Sequence, residues 1–263
     1  MPRKCFFGKD GLAENELIAL PREAARHLDS VLRSKPGDSI EIRDGEGHGW
    51  KGVIESMKDG AIQVRLLERQ VLTNESSLSI TLALAFSRSE KMEEVIRHAT
   101  ELGVQRIAFF RARRSQYGLK GDKIDRKRER WEKIAREALC QCGRARLPEI
   151  VVFQETEDFL REVSERETLG PCGLKLVALE TAAEESLVSL KHAVPSCEQV
   201  LVVVGPEGGW TVEEVNLFKH YALRSVHLGP RILRLETAAL AIVSCVQLLW
   251  GDFGQGLGGR TDS

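Results

Sequence analysis

Residues 200–214 read VLVVVGPEGGWTVEE, and this stretch decides how the chain is expected to fold. Its first five residues are all apolar and mostly β-branched, which is typical of a strand buried in a parallel sheet. The glycines within 205–209 predict a loop whose backbone can approach a ligand closely. Thr211 and Glu214 have the spacing of a capping box, which predicts that a helix starts there. A buried strand, a glycine-rich loop and a helix together indicate an α/β domain.

The same alternation of strands and helices extends along the chain on both sides of this stretch. Between two apolar runs, Ser87 and Glu90 also have capping-box spacing, and Gly103 marks the expected end of that helix. A second amphipathic helix is predicted from Asp125. The sequence therefore predicts a largely parallel sheet covered by helices on both faces. The predicted strands are 78–86, 104–110, 149–153, 174–179, 199–204 and 225–228.

The beginning of the chain has a different pattern, typical of a small β-rich domain. Ile40 and Ile42 alternate with polar residues, and Asp59-Gly60 provides turn chemistry between two later apolar runs. Short strands joined by tight turns favour a barrel. Before them, Pro21 predicts the start of a helix.

A polar link, 73–77, is the expected boundary between the two parts. We therefore predict a first domain over 1–73 and a second over 78–253. The remaining tail, 254–263, is rich in glycine and is predicted to be disordered.

Composition limits the classes of protein that remain. Hydrophobic residues make up 42% of the 263 residues and charged residues 29%, with a net charge of -1, as expected of a globular protein. The most apolar segment, 235–250, is interrupted by Glu236 and Gln247, so we expect no membrane span. The charged N-terminus predicts no secretion signal, hence a cytoplasmic protein with reduced cysteines. Glu94, His98 and Glu101 share one helix face, but a solvated face explains them better than a metal site, and none is predicted.

One segment, 111–146, carries a strong local excess of positive charge. It contains thirteen Lys or Arg and five Asp or Glu, a difference of +8. Such clustering is typical of a surface that binds phosphates. A solvated helix held by salt bridges explains the same charges equally well, and the sequence leaves both interpretations open.

Ligands of open α/β sheets bind at the carboxyl ends of the strands, which draws attention to two loops. The loop 205–210 lacks both the P-loop pattern and the order of glycines that binds dinucleotides. By itself it could equally be a tight structural turn. The second loop, 229–239, leads into an apolar helix that ends near Trp250. Because that helix is apolar nearly all round, we expect it to be buried on every side, within the fold or against a second subunit.

These loops resemble those of the SPOUT methyltransferases, specifically the RsmE-type ribosomal RNA uridine N3-methyltransferases. The similarity extends over nearly the whole chain, and these motifs in this order are highly specific. The motifs are GPEGGW at 205–210, LGPRILRLETA at 228–238, ATELGV at 99–104, EALCQCGR at 137–144, and Val31-Leu32-Arg33 with Gly37-Asp38.

The resemblance implies a fold that periodicity alone does not predict: an α/β SPOUT-type parallel sheet with a C-terminal trefoil knot, plus a small N-terminal PUA-like β-barrel domain. It further implies a homodimer that binds S-adenosylmethionine in the two loops and methylates one uridine of small-subunit ribosomal RNA, within the assembled subunit. The cofactor-binding residues implied are Leu179, Gly205, Pro206, Glu207, Gly208, Gly209, Leu228, Gly229, Ile232, Leu233, Arg234, Thr237 and Ala238.

Two residues of the second loop are candidates for catalysis. Uracil N3 becomes a nucleophile only after it loses its proton, and a nearby cation would favour the resulting anion. Arg234 matches the family motif and is the predicted cation, with Glu236 as the predicted base. In an alternative interpretation, Arg234 and Glu236 only pair with each other. A carboxylate against the sulfonium would stabilise the ground state more than the transition state, so neither Glu207 nor Glu236 is expected to hold it.

The target base must leave its stack to reach the methyl group, and basic residues would hold the RNA around it. Two other functions stay open: a related methyltransferase acting on transfer RNA, and an RNA-binding protein that has lost catalysis. The predicted RNA-binding residues are Arg33, Arg111, Arg113, Arg114, Gln141 and Arg144.

Overall fold

The computed structural model describes residues 3–8, 11–31, 33–72, 74–119, 121–165, 173–180 and 185–254. The predicted tail therefore lies, from residue 255 onward, outside the described residues. The chain forms two compact units. Unit 1 comprises 1–75 with 136–147, and unit 2 comprises 76–135 with 148–263.

Unit 1 is built on a five-stranded sheet. Its strands are β1 (Arg3–Phe6), β2 (Leu17–Ala19), β3 (Ser39–Arg43), β4 (His48–Lys58) and β5 (Ala61–Val71), in the order β1-β3-β4-β5-β2. The first pair, β1 with β3, is parallel and the other pairs are antiparallel. A short helix, α1 (Arg22–Arg26), follows Pro21 as predicted and continues as one π-helical turn, His27–Val31.

The alternation in this unit reflects one buried face and one exposed face. Ile40 and Ile42 of β3 are fully buried, as their spacing predicts, and pack with Leu28. Asp59 and Gly60 both have positive φ, of 51° and 75°, which is the conformation that a tight turn between β4 and β5 requires.

Unit 2 contains the predicted parallel sheet. It has seven strands: β6 (Ser79–Ala85), β7 (Arg106–Phe110), β8 (Glu149–Val152), β9 (Leu174–Ala178), β10 (Glu185–Ser186), β11 (Gln199–Val204) and β12 (Arg224–His227). The order is β10-β12-β9-β11-β6-β7-β8, and every described pair is parallel. Its helices are α2 (Ser89–Glu101), α3 (Lys123–Cys142), α4 (Thr156–Glu165), α5 (Leu187–Ala193), α6 (Val212–His220) and α7 (Leu235–Leu249).

Helices cover both faces of this sheet, and β11 shows why. All residues from Val200 to Val204 are buried, although successive strand residues point to opposite faces. Leu201 and Val203 pack with Phe159 of α4 and Phe218 of α6. Helix α7 contacts β6 and β11. The run of five apolar residues therefore reports burial on both sides, as predicted.

Two helix starts differ in how well their capping boxes were predicted. The box at Thr211 and Glu214 is confirmed, with both reciprocal hydrogen bonds present. The one at Ser87 and Glu90 is wrong: α2 begins one residue after Arg88, which makes no side-chain capping bond. Ser87 instead donates its hydroxyl to Glu207, because a carboxylate from a distant loop competes for it. Gly103 ends α2 with a φ of 85°, as predicted.

Of the two alternatives for the burial of α7, complete burial within the fold of the single chain is wrong. Its buried face includes Leu235, Ile242 and Val246, but the Leu248 residue is 59% exposed. One apolar face is therefore left uncovered. Among the described residues, no helix is both long and apolar enough to cross a membrane.

Candidate active site

The predicted cofactor residues follow the carboxyl ends of three neighbouring strands of the sheet. The strand β9 lies between β11 and β12, so the loops 205–210 and 228–234 leave the sheet on either side of Leu179. The indole Nε1 of Trp210 donates to the carbonyl of Ala178 at 3.2 Å. The structure thus brings the two loops together at the carboxyl ends of the strands.

The first loop is shaped by its glycines and its tryptophan. A Cβ on Gly205 would lie 2.7 Å from a ring carbon of Trp210, so only glycine allows this approach. Gly209 has a φ of 67°. The Trp210 ring packs on Phe110 and Phe218, with centroids 6.2 and 4.6 Å away. Trp210 is therefore a packing residue that anchors the loop on the core of unit 2.

The second loop presents unused binding groups. Gly229 has a φ of 94°, and Ile232 is 79% exposed although it is apolar. No hydrogen bond joins the backbone N–H of Ile232 or Leu233 to another described residue. An apolar wall with free amide donors fits the adenosine part of a cofactor, which needs uncharged hydrogen bonds and apolar contact.

A lysine that the sequence analysis did not identify connects both loops. The Lys91 ammonium, on the first turn of α2, lies 2.9 Å from Glu207 and 3.2 Å from Glu236. Ser87 donates to the same oxygen of Glu207 at 2.6 Å. We call Ser87, Lys91, Glu207 and Glu236 the lysine cluster. It ties the glycine loop to the first turn of α7.

The electrostatics of this cluster favour its charged form. The hydrogen bond to Glu207 is the largest influence on Lys91 and raises the pKa of its ammonium. Burial opposes ionisation of Glu207, but the hydrogen bonds from Ser87 and Lys91 outweigh burial and lower the pKa of that carboxyl. Both groups are therefore charged at neutral pH.

The two predicted catalytic residues lie at the start of α7 in different surroundings. Arg234 is the N-cap residue and is exposed, while Glu236 lies in the first turn. In the part of the chain that the structure describes, no ion pair joins Arg234 to Glu236, and Lys91 takes that carboxylate instead. The alternative interpretation of an Arg234–Glu236 pair is therefore wrong. No sequence pattern pointed to Lys91, because its partners lie more than 100 residues away.

The basic segment combines both interpretations that the sequence left open. Some of its cations are used in ion pairs, such as Arg113 with Glu157 at 2.9 Å and Arg130 with Glu93 at 2.7 Å. Arg111 is exposed, and Arg114 is exposed while donating to the carbonyl of Gly208 at 3.2 Å. Of these two predicted RNA contacts, Arg114 therefore lies beside the glycine loop.

The predicted RNA-binding residues of unit 1 differ in their exposure to solvent. Arg33 and Gln141 are exposed. Arg144 is only 4% exposed and its guanidinium is bound by Glu75, at 2.8 Å for Nη2. The same carboxylate accepts the backbone N–H groups of residues 145 and 146. Since its charge is compensated inside the fold, Arg144 supports the 144–146 turn, and the expectation that it contacts phosphate is corrected.

The described residues contain no group of three His, Cys, Asp or Glu side chains arranged to hold a metal ion. On α2, His98 pairs with Glu101 at 3.1 Å. That contact is an ordinary one between neighbours on a helix surface.

A parallel α/β sheet with two candidate ligand loops at the carboxyl ends of its strands, together with a separate β unit, defines a class of two-domain proteins that bind a ligand at the sheet. The family model for an RNA methyltransferase domain matches residues 74–247, and that for an RNA methyltransferase PUA domain matches residues 20–67. The chain belongs to the ribosomal RNA small subunit methyltransferase E family. Over 252 residues the chain is 30% identical to the Bacillus subtilis protein of that name. The alignment covers 93% of this chain and 96% of the relative.

Solved structures agree with this assignment. A Legionella pneumophila protein, in complex with the bound cofactor SAM, has a TM-score of 0.85 and 30% identity, covering 96% of this chain and 99% of that one. The ribosomal RNA small subunit methyltransferase E of Neisseria gonorrhoeae, bound to S-adenosyl methionine, has a TM-score of 0.83 and 29% identity, covering 96% and 100%. The PUA-like N-terminal domain and the α/β methyltransferase fold that the resemblance implied are thereby confirmed.

Proposed function

We propose that this protein uses S-adenosylmethionine to methylate N3 of a specific uridine in 16S, small-subunit ribosomal RNA. The observation that carries the proposal is the meeting of the loops 205–210 and 228–234 at one edge of the sheet. Family membership supplies the class of reaction, and the exposed cations beside the glycine loop supply a surface for RNA.

The cofactor supplies an electrophilic methyl group on a sulfonium. The backbone N–H groups of Ile232 and Leu233 and the apolar side chains of Leu179, Leu228 and Ile232 would hold its adenosine part. The lysine cluster keeps Glu207 and Glu236 paired, so that their negative charges are not presented to the sulfonium. The main contribution of the chain is then to place the methyl group in line with the target base.

Arg234 is the proposed catalytic cation. Its side chain is exposed at the N-cap of α7, within the cofactor loop, where it can approach the oxygens of a flipped uracil. A charge there favours the N3 anion over the neutral base. Glu236 remains the proposed base for that proton, although Lys91 occupies one of its oxygens.

We propose a homodimer as the acting form, because the exposed apolar side chains of Leu248 and Phe253 flank the end of α7. A second copy that packs on this helix would remove them from water. The same proposal includes a C-terminal trefoil knot and two domains with the limits 1–73 and 78–253. It also includes action in the cytoplasm on the assembled small subunit.

The test is methyl transfer from labelled S-adenosylmethionine to small ribosomal subunits, to naked 16S RNA and to transfer RNA, with nucleoside mass spectrometry of each product. We expect N3-methyluridine in 16S RNA and none in transfer RNA. Methylation of transfer RNA alone would show that transfer RNA is the substrate in place of 16S RNA. The absence of S-adenosylmethionine binding in calorimetry would favour the non-catalytic alternative. Arg234→Ala should lower kcat by a larger factor than it raises the Kd for S-adenosylmethionine.

A further inference from the structure

A cleft opens in unit 2 at the carboxyl ends of β7 and β8, beyond the cofactor loops. Its volume is about 350 Å³, near the lower end of the roughly 300–1,000 Å³ typical of small-ligand pockets. A space of this size suits a single nucleotide better than a longer ligand. Arg111, Ser115, Gln116, Tyr117, Lys123 and Gln154 are among its lining residues.

The lining of the cleft favours an anion. Arg111 follows β7 directly, and Lys123 is the first residue of the 20-residue helix α3, whose N-terminus adds positive partial charge. No described residue of the lining is acidic. The amides of Gln116 and Gln154 add hydrogen-bonding groups of the kind that reads the edges of bases.

An aromatic ring distinguishes this cleft from a plain phosphate site. Tyr117 is 39% exposed, and its hydroxyl accepts a hydrogen bond from Arg88 Nε at 3.0 Å. That bond holds the ring by its hydroxyl, and the partly exposed residue lines the cleft. Aromatic faces of this kind stack on the unpaired bases of single-stranded RNA.

Residues next to the cleft contact the glycine loop 205–210 and the helix that follows it. Arg114 donates to the carbonyl of Gly208, and the buried Glu214 accepts the backbone N–H of Arg113 at 2.9 Å. Arg88 directly follows Ser87, which donates to Glu207. A ligand in the cleft would therefore lie at the same carboxyl end of the sheet as the ligand of the cofactor loops.

We propose that this cleft binds a nucleotide of the substrate RNA adjacent to the methylated uridine, with its base on the Tyr117 ring and its phosphate between Arg111 and Lys123. The proposal rests on the proposed function, since it takes the RNA to be the substrate. The cleft would recognise an unpaired nucleotide next to the methylated uridine. The bound RNA would therefore be single-stranded at that nucleotide.

Binding of a fluorescein-labelled oligouridylate to the full-length protein, followed by fluorescence anisotropy, tests the stacking. Tyr117→Ala should weaken binding about 5- to 100-fold, the effect expected from the loss of one stacked base. Tyr117→Phe keeps the ring and should stay close to the wild type. Equal affinity of wild type and Tyr117→Ala overturns the proposal.

The cations are tested by the dependence of the affinity on salt concentration. Arg111→Gln should weaken binding and reduce the slope of log K against log salt by about 1. Arg161→Gln removes an exposed positive charge from α4, outside the cleft, and should leave the slope unchanged. Equal slopes for Arg111→Gln and Arg161→Gln overturn the role of Arg111.

Two further measurements separate this proposal from the proposed function. Calorimetry should give the same Kd for S-adenosylmethionine in Tyr117→Ala as in the wild type, and the KM for small subunits should rise with little change in kcat. A fall in kcat with unchanged KM overturns a flanking-nucleotide site. If the wild type binds no S-adenosylmethionine, the methyltransferase function fails, while the oligouridylate result still decides whether the cleft binds a nucleotide.

Discussion

The lysine cluster makes a quantitative prediction about cofactor binding. Lys91→Met removes the only ammonium that the described structure places between Glu207 and Glu236, 2.9 and 3.2 Å away. The Glu236 side chain is 13% exposed, so its unpaired charge would be costly, whereas the Glu207 side chain, 40% exposed, would be largely compensated by water. Both carboxylates would then repel each other across the two loops.

Leaving the mostly buried Glu236 carboxylate without its ion-pair partner costs about 1.5–3 kcal/mol. If this cost falls on the loop arrangement that binds the cofactor, the Kd for S-adenosylmethionine should rise about 10- to 100-fold, since 1.4 kcal/mol corresponds to a factor of ten. Lys91→Arg keeps the charge and should recover most of the affinity. Glu207→Gln in the Lys91→Met background should recover part of it, because one of the two repelling charges is gone.

Isothermal titration calorimetry at constant salt measures these affinities, with thermal unfolding to establish that each variant is folded. Lys58→Met provides a matched control, since it removes an exposed lysine at the end of β4. Wild-type affinity in a folded Lys91→Met variant would refute the argument that Lys91 organises the loops. A loss that Lys91→Arg does not recover would point to a role other than charge.

Three further changes test other parts of the structure. Glu75→Gln removes the carboxylate that binds the buried Arg144 guanidinium and should lower the unfolding free energy by about 3–5 kcal/mol at pH 7, measured in urea. Burial opposes ionisation of Glu75, but Arg144 and two backbone N–H groups outweigh burial and lower the pKa of this carboxyl from 4.5. The ionised carboxylate therefore stabilises the folded state above pH 4.5, and this stabilisation is lost as the pH falls through the lowered pKa. The unfolding free energy of the Glu75→Gln variant should not show this loss. Trp210→Phe removes the hydrogen bond to the Ala178 carbonyl and should lower the unfolding free energy by about 0.5–1.5 kcal/mol, while unchanged stability would contradict its role in holding the loop 205–210 against the end of β9. Leu248→Glu should convert a dimer to monomers in sedimentation velocity, and a wild type that already sediments as a monomer would contradict the dimer.

Much of the fold could be predicted because local patterns in this chain agree with its tertiary structure. The run 200–204 is apolar at every position since both faces of β11 are covered. Thr211 and Glu214 form their capping box through contacts four residues apart or fewer. Information of this kind is contained in neighbouring residues, so periodicity and spacing are sufficient to read it.

Other features depend on residues that are distant in sequence. Ser87 has the spacing of a helix cap, yet the carboxylate of Glu207 competes for its hydroxyl from 120 residues away. Arg144 belongs to a segment whose charge predicts RNA contact, but Glu75, 69 residues earlier, compensates it inside unit 1. A charge count cannot distinguish a free cation from a paired one, since pairing depends on distances that only folding sets.

The sequence by itself determined the class of fold, the family and the two loops of the cofactor site, since these rest on consecutive residues. Only the tertiary structure decided that Lys91 bridges those loops and that Tyr117 faces a cleft beside them. The strand order places β9 between β11 and β12, and the loops meet for that reason. Strand order arises from packing of the whole chain, which no single stretch of residues encodes.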